Sequence, residues 1–284
     1  MVKKSFIIAG PTASGKSDFA HRLAQRMGGT IINADSVQIY KGIENIAASP
    51  LIDDLGNVPY KLFSIKEVGE QIAVAEYLDL AKKEYDAAEV PIFVGGSGYY
   101  INVIINGMSP IPEVSEENRI RARQMVLEAP DAARKLTDFE FRDPQRMSRA
   151  LEVFLETGRP LSEWQQLPRR GAIKPTPIKV LVMPDRELLA ERIRARLDVM
   201  LDNGGLDEVR KYIDFPDRAI GIEEIGKFLR GEITKEEAVE NWSVRTIQYA
   251  KRQRTWFRNQ FDEDIFIPRV PRNEDLDLIM DYKS

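Results

Sequence analysis

Apolar positions along the chain fall first in short continuous runs and then at helical spacing. Phe6 to Ala9 form a four-residue run, and residues 16–27 behind it gather their hydrophobic positions on one face of a helix. A Gly28-Gly29 break leads to a second run, Thr30 to Ala34, which ends at Asp35. Residues 73–89 return to helical spacing, and VPIFVGGSGYYINVIING (90–107) reads as strand, glycine turn and helix. Strands that alternate with helices predict an α/β fold, a parallel sheet with helices on both faces.

Beyond residue 107 the texture changes. Pro110 and Pro112 punctuate the chain, residues 116–127 predict a charged helix, and residues 143–157 predict another that Gly158 and Pro160 stop. No strand pattern occurs between 107 and 177, so a helical insertion domain is expected at 113–174, inside a core made of 1–112 and 175–284. TPIKVLVMPD (176–185) restores the sheet, and Asp185 reads as the N-cap of a helix over about 186–202. Thr234 and Glu237 match a capping box that opens the segment leading into a long final helix. The acidic last dozen residues are expected to fray.

Charge and composition narrow the chemistry. With 41 Lys+Arg against 45 Asp+Glu the formal charge is −4, so a polyanion has to be met by a local basic surface. The absence of cysteine and the single histidine, His21, exclude disulfides, thiol nucleophiles and a histidine-based triad or metal cluster. No segment has the length of a membrane span and the first apolar run enters a glycine loop, so a cytoplasmic protein without a signal peptide is expected.

That loop is the strongest motif. Gly10, Pro11, Thr12, Ala13, Ser14, Gly15, Lys16 and Ser17 fill the G-x-x-x-x-G-K-[ST] pattern between a strand and a helix, which is the context of a P-loop. Its N–H groups and the helix N-terminus favour a di- or triphosphate, Lys16 adds charge, and the Ser17 hydroxyl can ligate Mg²⁺. A phosphoryl-transferring P-loop enzyme also carries a carboxylate at the end of an apolar strand, whereas residues 91–94 end here in Gly95-Gly96. Asp35, at the carboxyl edge of the sheet, suits ligand or proton work, the alternative being a turn-forming aspartate. Ser97 sits in a second glycine turn and can reach a phosphate or a base, the alternative being a plain turn.

On the final helix Trp242, Tyr249 and Trp256 share a stripe flanked by Thr246, Gln253 and Phe257, which reads as core packing. Lys251, Arg254 and Arg258 lie away from it, with Arg245 and Arg252 at its border; they read as facing phosphate or as a solvated face. Further arginines gather in and around the insertion at 119, 121 and 123, at 142, 146 and 149, and at 169 and 170, which suggests a second polyanion.

GPTASGKS, INADSVQIYKGI, PIFVGGSGYYI, DPQRMSRALEVFLETG, RAIGIEEI and YAKRQRTWFRNQ occur in an order that resembles the bacterial tRNA dimethylallyltransferases across most of the chain. The resemblance implies that the loop holds the diphosphate of dimethylallyl diphosphate in place of ATP. It implies transfer of the dimethylallyl group to N6 of the adenosine 3′ of the tRNA anticodon, with diphosphate leaving and Mg²⁺ assisting; a monomer is expected. Asp35 is then the general base, Lys16 and Arg196 neutralise the leaving group, and Ser97 stands where the family usually has threonine. The implied tRNA contacts are Asp35, Ser36, Val37, Gln38, Ser97 and Arg119; then Gln145, Arg146, Met147, Ser148 and Arg149; then Arg218, Ala219, Ile220, Gly221, Ile222 and Glu223. Arg146 and Arg149 suit phosphates among these, whereas Met147 suits packing. YKGIENIAASP (40–50) departs from the family's usual pattern, and the joins near 136–146 and 212–220 are shorter than in the family. Rival readings are an ATP-using kinase, a prenyltransferase for free adenine nucleotides and an RNA-binding module.

Overall fold

The computed structural model describes residues 3–50, 56–137, 143–215 and 218–282; Arg142, grouped above with Arg146, lies outside them. The elements run β1 (Phe6–Ala9), α1 (Lys16–Met27), β2 (Thr30–Asn33), β3 (Tyr60–Lys61), α2 (Val74–Ala87), β4 (Pro91–Gly95) and α3 (Gly98–Asn106). Four helices follow, α4 (Glu116–Glu128), α5 (Pro130–Leu136), α6 (Pro144–Thr157) and α7 (Leu161–Gln166). The chain then continues through β5 (Ile178–Val182), α8 (Arg186–Met200), α9 (Leu206–Tyr212), α10 (Ile222–Leu229), α11 (Lys235–Gln260), β6 (Ile265–Ile267) and α12 (Asn273–Asp281). It divides into two compact units, Met1–Ile105 with Ile173–Ser284, and Asn106–Ala172.

In the first unit the strands form one parallel sheet in the order β3-β2-β4-β1-β5-β6. All four residues of β1 are fully buried, as a central parallel strand covered on both faces requires. One core cluster joins β1, β4 and β5 to α1 and α12 through Phe6, Phe19, Leu23, Ile92, Val180 and Leu276. Asp185 caps α8 by accepting from Leu188 N–H at 2.9 Å, and Thr234 with Glu237 forms the capping box of α11. The C-terminal residues do not fray as a group: Leu276 and Ile279 of α12 are buried, and Arg269 bonds to Asp275 and Glu274, which offsets the local negative charge. The helix predicted to reach 202 ends at Met200, where a kinked turn over Leu201–Gly205 redirects the chain into α9.

In the second unit α4 and α6 enclose Ala122, Val126, Met147 and Leu151. Asp143 caps α6 with its carboxylate, Pro144 opens it, and Gly158 closes it at φ 67. No strand occurs there among the described residues, only an isolated bridge between Met108 and Arg170.

The last long helix is what fixes the carboxyl edge of the sheet. Gln253 of α11 accepts from Thr12 N–H (2.8 Å) and donates to the Gly96 carbonyl (2.9 Å), joining the loops after β1 and β4. A Cβ at Gly98 would stand 2.3 Å from the Trp256 ring, so only glycine admits the helix at this distance. Replacing Gln253 with Leu leaves an N–H and a carbonyl unpaired inside the protein. We expect a loss of about 2–5 kcal/mol in chemical denaturation.

Candidate active site

A cavity of about 790 Å³ opens at the carboxyl edge of the sheet, within the first unit, bounded by the β1–α1 loop, the segment after β2, α8 and α11. The loop turns through left-handed Ala13 (φ 62) and Gly15 (φ 89), and Gly10 is required because a Cβ there would meet the Val182 carbonyl at 2.2 Å. Two arginines one turn apart on α8 converge on it. Arg192 Nε donates to the Ala13 carbonyl at 2.8 Å, and Arg196 Nη2 donates to Thr12 Oγ1 at 2.9 Å. Lys16 Nζ reaches the Pro11 carbonyl at 3.1 Å. Ser14 Oγ and Arg196 Nε are buried with no hydrogen-bond partner. Three cationic side chains and unused bonding capacity around one loop describe a receptor for an anion with several oxygens.

Its electrostatics point the same way. Burial, and secondarily the Arg196 charge, bring the Lys16 ammonium down to about 8 against the opposing pull of Asp35. Arg196 is likewise held below its ordinary value by burial and by Arg192. An incoming anion relieves both.

Asp35 faces the same space. Asn33, fully buried at the end of β2, fixes the turn by accepting from Asp35 N–H at 2.8 Å and donating to the carbonyls of Asp35 (2.9 Å) and Leu62 (3.0 Å). The Asp35 carboxylate accepts from Val37 N–H at 3.0 Å and lines the cavity with Ser36, Val37 and Gln38. Ser97 stands behind this wall: its Oγ accepts from Ser36 N–H at 2.9 Å and bonds to the Tyr249 hydroxyl, which burial and Asp35 hold well above the ordinary tyrosine value. Its contact with the cavity is therefore indirect.

Arg218, Ala219 and Ile220 also line the cavity, and Arg218 donates to the Tyr40 hydroxyl at 3.1 Å. The rest of that segment turns away: Gly221 packs on the Trp242 ring, Ile222 is fully buried, and Glu223 pairs with Lys227 and Arg245. In the helical unit Gln145, Arg146 and Arg149 are exposed on α6, Arg149 pairing with Glu152 and Arg119 with Glu116. Met147 and Ser148 are buried, so their side chains serve the packing of that unit.

Two readings of the final helix need correction. Trp242 is buried, but it lines the cavity together with Thr246, Tyr249 and Arg252, so the stripe is a wall of the site as well as core. Arg254 does not belong to an exposed basic face: it is buried and bonds to the Pro184 carbonyl, tying α11 to the start of α8. The sequence reading assigns no role to Arg192, takes Tyr249 as core and takes Arg252 only with the basic face, whereas all three line the cavity. The i, i+4 pair of arginines on α8 was the available signal for the first, and the polar ends of the stripe for the others. Among the described residues no group of three His, Cys, Asp or Glu side chains forms a metal site, and no helix is long and apolar enough to cross a membrane.

Known proteins resemble this chain over most of its length. The IPP transferase family matches residues 38–260. The tRNA dimethylallyltransferase of Zymomonas mobilis is 38% identical over 275 residues, covering 90% of this chain and 88% of that protein, and the one from Acidiphilium cryptum is 41% identical over 271 residues, covering 89% and 83%. Among solved structures, the tRNA isopentenylpyrophosphate transferase of Bacillus halodurans superimposes with a TM-score of 0.67 at 29% identity, covering 98% of this chain and 93% of that one. A eukaryotic dimethylallyltransferase acting on tRNA gives 0.76 at 25% identity, covering 96% and 76%. With matches that span most of its length, the chain belongs to the IPP transferase family, and is an enzyme of the tRNA dimethylallyltransferase type.

Proposed function

We propose that the chain transfers a dimethylallyl group from dimethylallyl diphosphate to N6 of the adenosine 3′ of the tRNA anticodon, releasing diphosphate. The observation that carries this reading is the cationic loop, with Ser14 Oγ and Arg196 Nε unpartnered, facing Asp35 across one cavity. The loop then acts as a P-loop for a leaving group. The N6 lone pair forms a bond to C1 of the allyl chain, the C1–O bond breaks with its electrons on diphosphate, and the N6 proton passes to the Asp35 carboxylate. Lys16, Arg196 and the loop N–H groups stabilise the charge that gathers on the departing diphosphate. Asp35 opposes the positive charge that develops on N6 and accepts its proton.

The Ser17 hydroxyl, an oxygen donor at the cavity wall, suits a hard cation such as Mg²⁺ and would help to hold it. Bound there, the ion would add to the neutralisation of the leaving group. Ser36, Val37, Gln38 and Arg218 line the cavity and suit a nucleoside, and the exposed Gln145, Arg146 and Arg149 of the helical insertion suit the RNA backbone. The adenosine leaves its stack to enter the cavity.

Incubation with Mg²⁺, labelled dimethylallyl diphosphate and unmodified tRNA should place label in the RNA, and Asp35→Ala should reduce the rate by about 10²-fold or more. ATP hydrolysis without RNA labelling would return the chain to the kinases. Free Lys16 titrates near 8, and its charge costs folding stability below that pH, the cost fading as pH rises toward 10.5. Binding of dimethylallyl diphosphate, which is fully ionised at pH 8.5, should therefore draw a proton onto Lys16, read by calorimetry in two buffers of different ionisation enthalpy; Lys16→Gln should abolish the uptake.

A further inference from the structure

One face of α8 changes character along its length. Arg192, Arg196 and Met200 follow one another at steps of four residues, all three line the cavity, and the first two hold the phosphate-type loop. Four residues advance a helix by about 6 Å. Four bonds separate the diphosphate-bound oxygen of a dimethylallyl group from its terminal methyl, and at roughly 1.2 Å of extension per bond they reach about 5 Å, just short of that advance.

Beyond Arg196 the lining turns apolar at Leu197, Met200 and Ile46. Met200 and Ile46 are both buried yet both line the cavity. Ile46 presses on Gly205 in the turn that ends α8, where a Cβ would stand 3.1 Å from Ile46 Cδ1 and 2.6 Å from the Met200 carbonyl. Its backbone is pinned as well: Glu208 of α9 accepts from Ile46 N–H at 2.9 Å through one oxygen and from Asn45 N–H at 2.9 Å through the other. The segment 45–46 and the end of α8 therefore form one braced surface. A ligand tail longer than one turn has to displace both.

We propose that Met200 and Ile46 form the stop that sets the length of the prenyl chain, with Glu208 as the positioning residue that holds Ile46 in place. The proposal rests on the assignment of the loop to the diphosphate of the donor. With the tail laid along α8 from Arg196 toward Met200, a five-carbon tail ends at the stop, and a ten-carbon tail collides with it. Overpacking a braced apolar wall is costly, and differences of one or a few carbons in such pockets are worth 10-fold to 200-fold in specificity.

The test compares dimethylallyl with geranyl diphosphate as donors to unmodified tRNA, by kcat/KM, for the full chain and for Met200→Ala, Ile46→Ala and Ile46→Val. The parent should prefer the shorter donor by about 10²-fold or more. Each alanine variant should shift the geranyl-to-dimethylallyl ratio upward by about tenfold or more, and Ile46→Val, which removes one methyl and keeps the fold, by a few-fold in the same direction. Glu208→Gln keeps one acceptor for the backbone and should shift the ratio less than Glu208→Ala, a rescue that a general loss of activity would not produce. Unchanged ratios in folded variants, or a parent that uses both donors equally, would overturn the stop. No transfer from dimethylallyl diphosphate by the parent would overturn the underlying function instead.

Discussion

The site depends on a single amide side chain that works in both directions. Gln253 offers an acceptor to the loop after β1 and a donor to the loop after β4, across sequence separations of 241 and 157 residues. Neither a carboxylate nor an ammonium could satisfy both partners, because the first only accepts and the second only donates. The two loops carry little side-chain bulk of their own, so their positions come from outside, from a helix folded onto them. Gly96 and Gly98 complete this arrangement by subtraction: the space a Cβ would take is filled by Gln253 and Trp256. Ser97, between those glycines, transmits the same constraint to Ser36 and so to the turn that presents Asp35.

What this frame holds in place is a charge distribution that is unfavourable by itself. Lys16, Arg192 and Arg196 crowd one loop, and the half-buried lysine binds its proton less tightly than a solvated one would. Such an arrangement persists because backbone carbonyls of Pro11 and Ala13 take part of the hydrogen bonding, and because Asp35 supplies one opposing charge. An anionic leaving group finds the dipoles already oriented, which is the sense in which preorganisation lowers a barrier. The frame also accounts for the lack of an acidic residue at the end of β4: Gly95 there abuts the Ala34 carbonyl, where a Cβ would stand at 2.0 Å, so no side chain fits.

Different parts of this were legible in the sequence for different reasons. The strand, loop and helix over 6–27 could be read because local rules agree there: an apolar run, a glycine motif and an amphipathic face. Asp185 and Thr234 could be read because capping is decided within one turn. The stripe on α11 was seen, but periodicity tells which residues share a face and not whether that face meets a core or a cavity. Trp242 and Tyr249 meet both. Arg254 was misjudged for a related reason: its carbonyl partner, Pro184, lies 70 residues away, and nothing local announces it. The strands β3 and β6, two and three residues long, are too short for a period to register. The acidic final segment folds because Leu276 and Ile279 find the sheet's core, while Arg269 answers its charge.

The location of the cavity follows from connectivity before any side chain is considered. From β1 the chain moves through α1 to β2 on one side of the sheet, whereas from β4, the neighbour of β1, it eventually crosses to β5 on the other. Right-handed crossovers that run in opposite directions along the sheet lie on its opposite faces, which opens a crevice at the carboxyl edge, the switch point at which open α/β sheets bind ligands. Gln253 bridges that same pair of loops. The topology opens the crevice between β1 and β4, and α11 fills its base so that the loops cannot collapse together or drift apart. A helix recruited from the far end of the chain thus makes a general consequence of strand order into a specific site, and its Tyr249 and Arg252 then serve as the wall of the cavity it holds open.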